Sequence, residues 1–218
     1  MYYFDYVLLG YSALLPIANP LTSMTLLLSL GKGFTPTQRK SEINKASLYV
    51  FGILIVSFYA GTLLMNLLGI SIPGLRIAGG LVLTYIGFTM LFPTSVNEAA
   101  HQTELAGDIS PTRPVSIAFV PLAMPGTAGP GTIAMIVSGA STLKSGGDLT
   151  FFAHLAAMTV FALLALTFWL CLRSASSIVR FFGQSGIDAF ARLMGFILIC
   201  VGVQFLINGA TEVVTSIK

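Results

Sequence analysis

Long apolar runs constrain this chain more than any other feature. "LYVFGILIVSFYAGTLLMNLLG" (Leu48–Gly69) carries no charged side chain and is apolar on every face. A helix needs about 20 mostly apolar residues to cross a bilayer. Six stretches meet that requirement, at about 7–30, 45–68, 74–92, 117–140, 150–172 and 189–210. Only 9% of the 218 residues are charged, against about 25% in a soluble domain. So few charges could not cover a water-facing surface of this size, and lipid is the expected solvent. A membrane β-barrel would show short alternating segments, whereas runs apolar all round read as buried helices. The expected fold is an all-α integral membrane protein with six transmembrane helices. The start "MYYFDY" carries Asp5 and no Lys or Arg, so it is not read as a cleaved signal peptide.

Two of these segments are interrupted. "LPIANPLTS" (Leu15–Ser23) places an Asn-Pro step inside the first apolar run, where proline removes a helix amide and clashes with the preceding turn. The interruption recurs. "IANPLTSMTLLLSL" (Ile17–Leu30) aligns without gaps to "TAGPGTIAMIVSGA" (Thr127–Ala140), with Ala18/Ala128, Pro20/Pro130 and Thr22/Thr132 identical. A second echo pairs "LLGISIPGLRIAGG" (Leu67–Gly80) with "FFGQSGIDAFARLMGF" (Phe181–Phe196), matching Arg76-x-x-Gly79 to Arg192-x-x-Gly195. Three spans per half is an odd number, so the second half enters the membrane upside down. The chain is therefore expected to be one membrane domain of two inverted three-helix repeats, about 7–92 and 117–210, with helices 1 and 4 broken near the midplane. Many secondary transporters are built this way, with the substrate between the broken helices.

Lys and Arg distribution sets the orientation. Lys32, Arg39, Lys40, Lys45, Arg113, Arg173, Arg180 and Arg192 fall on one side, and Arg76, Lys144 and Lys218 on the other. The first side is expected to be cytoplasmic, which puts both termini outside and makes the polar stretch 93–116 a cytoplasmic linker. A net charge of +3 is too small to imply a nucleic-acid partner. Cys171 and Cys200 lie within spans and are read as small apolar residues.

At the breaks, Asn19 and Gly129 read as N-caps, with Pro20 and Pro130 in the first helical positions. The amides from Leu21 to Ser23 and from Gly131 to Ile133 would then lack intrahelical acceptors. Such helix starts carry partial positive charge and suit an anionic group such as a carboxylate. The hydroxyls of Thr22, Ser23, Thr127 and Thr132 add donors, and Asn19 could accept from an ammonium group. Together with Gly126, Gly129 and Gly131 these residues form the expected substrate site. The alternative is a pair of proline kinks repaired by neighbouring side chains. Arg76 and Arg192 stand near the starts of their spans, with Asp188 one helical turn before Arg192. They are read either as headgroup anchors or as gating groups. His154 is placed at the outer end of the fifth span, and Gly79, Gly80, Gly87, Gly195 and Gly202 are expected to permit close helix packing. No acidic residue falls at the centre of an expected span, which disfavours proton coupling through a midplane carboxylate.

"LPIANPLTS", "ISIPGLRIAGG" and "FVPLAMPGTAGPGTIAMI" closely resemble the MarC/SnatA family of bacterial and archaeal inner-membrane proteins, and the resemblance covers essentially the whole chain. It implies six spanning helices, a multi-pass inner-membrane location and transport of small neutral amino acids such as glycine and alanine. The expected function is thus alternating-access transport of such a solute. The alternatives are a passive channel for small polar solutes or a drug or metabolite efflux protein. No catalytic constellation, metal cluster or phosphate-binding loop stands out, so neither an enzyme nor a cofactor is expected. The coupling ion (sodium or proton) and self-association stay open, and the expected partners are a small solute and the lipid bilayer.

Overall fold

A computed structural model of the chain describes residues 2–93, 116–124, 127–145 and 151–217, and its regular elements are all helical. Helix α1 (Tyr2–Ala18) runs into α2 (Pro20–Leu30) through the single residue Asn19. After a 3₁₀ turn at Gly31–Gly33 comes α3 (Pro36–Leu67), which starts well before the expected position 45. The cause is a capping box: Thr35 Oγ1 accepts from the Gln38 amide and Gln38 Oε1 accepts from the Thr35 amide, with Pro36 following. This signal nucleates a helix in polar sequence that hydropathy alone passes over. Helix α4 (Ile72–Leu91) begins at Ser71, whose hydroxyl accepts from the Gly74 amide. A π-helical turn at Ala118–Ala123 precedes α5 (Pro130–Ser145), followed by α6 (Phe151–Arg173) and α7 (Ala175–Ile217). Helix α7 bends at Gly183, which has φ 69° and ψ 169°.

Among the described residues, five segments are long and apolar enough to cross a membrane: Tyr3–Leu30, Pro36–Leu67, Ile72–Leu91, Phe151–Arg173 and Ser185–Ser216. The fourth expected span, 117–140, is not one continuous helix. Val120 is extended (φ −121°, ψ 126°) within the π-helical turn, and α5 begins only at Pro130. This helix is also internal: Gly131, Thr132, Ala134, Ile136, Val137, Ser138 and Ala140 are all buried. Protein rather than lipid solvates much of it, so a broken backbone can be satisfied there. The expected linker 93–116 falls almost wholly outside the described residues.

Side-chain contacts fix the helix directions. Tyr3 and Tyr11 of α1 hydrogen-bond through their hydroxyls to Thr159 and Thr167 of α6, which makes these two helices parallel. Antiparallel to α6 runs α3, with Asn44 Oδ1 accepting from Trp169 Nε1, while Phe58 and Tyr59 pack on His154. Val50, Leu54, Leu122, Phe168 and Leu172 form the heart of this group, each 0–1% exposed. The α4–α7 pair packs differently. A Cβ on Gly80 would lie 2.6 Å from the Gly202 carbonyl, and one on Gly87 would lie 2.6 Å from that of Gly195. Gly209 meets Pro73 and Ile77 in the same antiparallel register. Glycines repeated every seven residues keep one seam facing its partner, and they let the two backbones touch. Gly79 faces elsewhere, against Ala134 of α5. Large side chains such as Leu9, Leu63, Leu81, Leu166 and Phe196 remain exposed on the outside, the arrangement expected of a lipid-facing surface. Cys171 and Cys200 are free thiols.

Candidate functional site

The two backbone breaks meet in the interior. Asn19 occupies the left-handed region (φ 32°, ψ 71°) between α1 and α2, while its own amide still donates to the Leu15 carbonyl at 3.2 Å. Asn is one of the few non-glycine residues that enter this region readily. In that conformation its side chain makes no cap, contrary to the sequence expectation. Nδ2 donates instead to Thr22 Oγ1 at 3.0 Å and reaches the Met90 sulfur of α4 at 3.3 Å. Asn19 is 5% exposed, and its Oδ1 is buried with no hydrogen-bond partner among the described residues. An unsatisfied buried acceptor costs about 1–3 kcal/mol.

Ser23, one turn into α2 and fully buried, joins the two halves. Its hydroxyl donates to the Leu122 carbonyl at 2.9 Å and lies 3.0 Å from Thr127 Oγ1. Thr127 and Thr132 are 2% and 1% exposed, and Thr132 Oγ1 donates back to the Thr127 carbonyl at 2.9 Å. The expected amide donors are partly occupied: the Thr22 amide bonds to the Asn19 carbonyl at 3.3 Å, and that of Ile133 to the Gly129 carbonyl at 3.0 Å. Pro20 and Pro130 do stand first in their helices. Gly129 is buried, and Gly131 lets Leu83 of α4 approach so closely that a Cβ would sit 2.3 Å from it. Gly126 lies outside the described residues. The structure thus joins Ser23, Thr127 and Thr132 into one buried polar cluster, while Asn19 at the first break pairs with the partly exposed Thr22.

The charged residues divide. Arg76 ties three helices: its Nε donates to Ser138 Oγ of α5 at 2.6 Å, and its Nη1 pairs with Glu212 of α7. Arg192 and Asp188 are exposed on α7. Two residues of consequence were not singled out from the sequence. Met90 touches Asn19 from α4, a contact that no spacing encodes. Glu42 is 7% exposed, lies inside the Pro36–Leu67 span, and accepts from Ser116 Oγ at 2.8 Å and the Ala118 amide at 2.9 Å. The capping box at Thr35 was the available signal that Glu42 is helical. Among the described residues, no group of three or more His, Cys, Asp or Glu side chains is placed to hold a metal ion.

Comparison with known proteins places this geometry in a family. Residues 4–214 match the family described as "MarC family integral membrane protein". The chain is 49% identical over 210 residues to the UPF0056 inner membrane protein MarC of Salmonella typhimurium, with 95% of each chain covered. It is 48% identical to the protein of that name from Citrobacter koseri and 47% identical to the one from Escherichia coli O1:K1, again over 95% of each chain. No solved structure matches.

Proposed function

This chain belongs to the MarC family of integral membrane proteins, and on that footing we propose that it is a secondary transporter of small neutral amino acids or related small polar metabolites. The observation that carries the reading is Asn19 Oδ1, an acceptor buried without a partner where the two broken segments meet. A solute with an ammonium group supplies the missing donor. Its carboxylate would sit toward the helix starts at Pro20 and Pro130, whose partial positive charge suits it. Ser23, Thr127 and Thr132 line the same place but bond to one another and to backbone carbonyls. They would have to exchange these bonds for the solute. Buried polar groups at such helix breaks are where an alternating-access carrier binds its substrate.

Several features support two inverted repeats of three segments, with the first and fourth segments broken. Pro20 and Pro130 each open a helix after an interruption. Thr22 and Thr132 each engage the chain just before their own break. Gly69 and Gly183, each a few residues before the matched Arg76 and Arg192, have φ of 67° and 69°. In this reading the protein lies in the inner membrane with both termini outside, has the lipid bilayer and a small solute as its partners, and catalyses no chemical reaction. The test is uptake and counterflow in proteoliposomes with a panel of labelled amino acids, with and without sodium and proton gradients. Saturable uptake with counterflow is expected. Flux that neither saturates nor shows counterflow would identify a channel instead.

A further inference from the structure

Glu42 is a buried carboxylate near the start of α3 that the transport reading leaves without a task. Its Oε2 alone takes both the Ser116 hydroxyl and the Ala118 amide, while Oε1 stands 3.6 Å from the Lys45 ammonium, one turn further along α3. Ala118 is fully buried, and it opens the π-helical turn whose amide would otherwise be unsatisfied in apolar surroundings. From there the connection is short. The Leu122 amide donates to the Ile117 carbonyl and that of Met124 to the Phe119 carbonyl, while the Thr127 and Ala128 amides both reach the Ala123 carbonyl. The Leu122 carbonyl then receives Ser23. A single oxygen on α3 therefore fixes one end of a hydrogen-bonded turn, and the other end holds the second half of the polar cluster.

We propose that Glu42 is a positioning residue for the transport site: by pinning Ser116 and Ala118 it sets where the Leu122 carbonyl and the Thr127 hydroxyl meet Ser23. The proposal rests on reading that cluster as the substrate site, but its placement can be measured without transport. The full-length protein in lipid nanodiscs is compared by hydrogen exchange as wild type, Glu42→Ala and Glu42→Gln. In Glu42→Ala, exchange at the Leu122, Met124 and Ala128 amides is expected to rise about tenfold or more, because both hydrogen bonds to Oε2 are lost. Glu42→Gln keeps a carbonyl oxygen that can accept both donors, and should return those rates to within about threefold of wild type. Amides in α4 and α7 should not change. In proteoliposomes Glu42→Ala should raise KM about tenfold with a much smaller change in maximal rate, and Glu42→Gln should largely restore KM. Unchanged exchange in the turn overturns the proposal, as does acceleration spread evenly over all helices. If the wild type transports nothing, the transport reading fails while the exchange data still decide what Glu42 positions. Should Glu42→Ala not fold, Ser116→Ala removes one donor only and should accelerate the turn alone, by about threefold; no effect there would also overturn it.

Discussion

Asn19 holds three features at once: a helix break, a left-handed backbone and a buried carbonyl oxygen with no partner. The break was legible, because Asn-Pro inside an apolar run has few other meanings. Its conformation was not, since an Asn before a helix is ordinarily an N-cap with extended backbone. Here Thr22 and Met90 claim its Nδ2 instead. Substitutions separate the roles. Asn19→Gly keeps a residue at ease with positive φ and removes only the amide, whereas Asn19→Leu adds backbone strain of about 1–2 kcal/mol. Both should abolish uptake in proteoliposomes, and only Asn19→Leu should lower the thermal midpoint in detergent appreciably. Thr132→Val should likewise stop transport by removing the donor to the Thr127 carbonyl, and Thr132→Ser should retain it. Wild-type uptake by both Asn19→Gly and Thr132→Val would show that the site has been misplaced.

Among the helices, the α4–α7 seam is the most demanding contact. The glycines at 80, 87, 195 and 202 were visible as points of close approach, but which surface each one meets depends on how the helices are paired. Gly79 turned out to serve α5, and Gly209 joined the seam unannounced. A Cβ at Gly202 would lie 2.3 Å from Thr84 Oγ1 and 2.7 Å from the Gly80 carbonyl. Backbone cannot yield there as a side chain would, so Gly202→Val should destabilise the protein by about 1–3 kcal/mol. Gly52 of α3 provides the control. A Cβ there meets nothing within 4 Å, and Gly52→Ala should hold or raise stability, by up to about 1 kcal/mol through helix propensity. Thermal unfolding of both variants in the same detergent checks the pair. Equal midpoints would mean that the seam opens without cost.

Taken whole, the molecule packs α5 against α3 and α4, with Val137 on Gly61 and Ala134 on Gly79. Hydropathy could not distinguish α5 from its neighbours, because a helix solvated by protein can be as apolar as one solvated by lipid. Its break and its burial set it apart. Helix directions agree with successive crossings: α1 is parallel to α6, while α3 is antiparallel to α6 and α4 to α7. With most Lys and Arg on the side opposite the termini, the C-terminus should lie outside. A C-terminal alkaline phosphatase fusion is expected to be active and a green fluorescent protein fusion dark. The reverse result would invert the proposed topology.

Local chemistry was enough to settle that the chain is helical and membrane-embedded, where its first segment breaks, and that proline starts the helix on the far side of each interruption. Those features follow from side-chain polarity and from the missing amide of proline, and they need no partner. Where the breaks meet, which glycines touch, and that Glu42 holds the turn beneath Ser23 could be decided only by packing. Residues such as Ser23 and Leu122, or Glu42 and Ala118, are far apart in the chain. In a low-dielectric interior a buried donor or acceptor left without a partner is costly, and folding alone determines which groups are paired and which, like Asn19 Oδ1, are not.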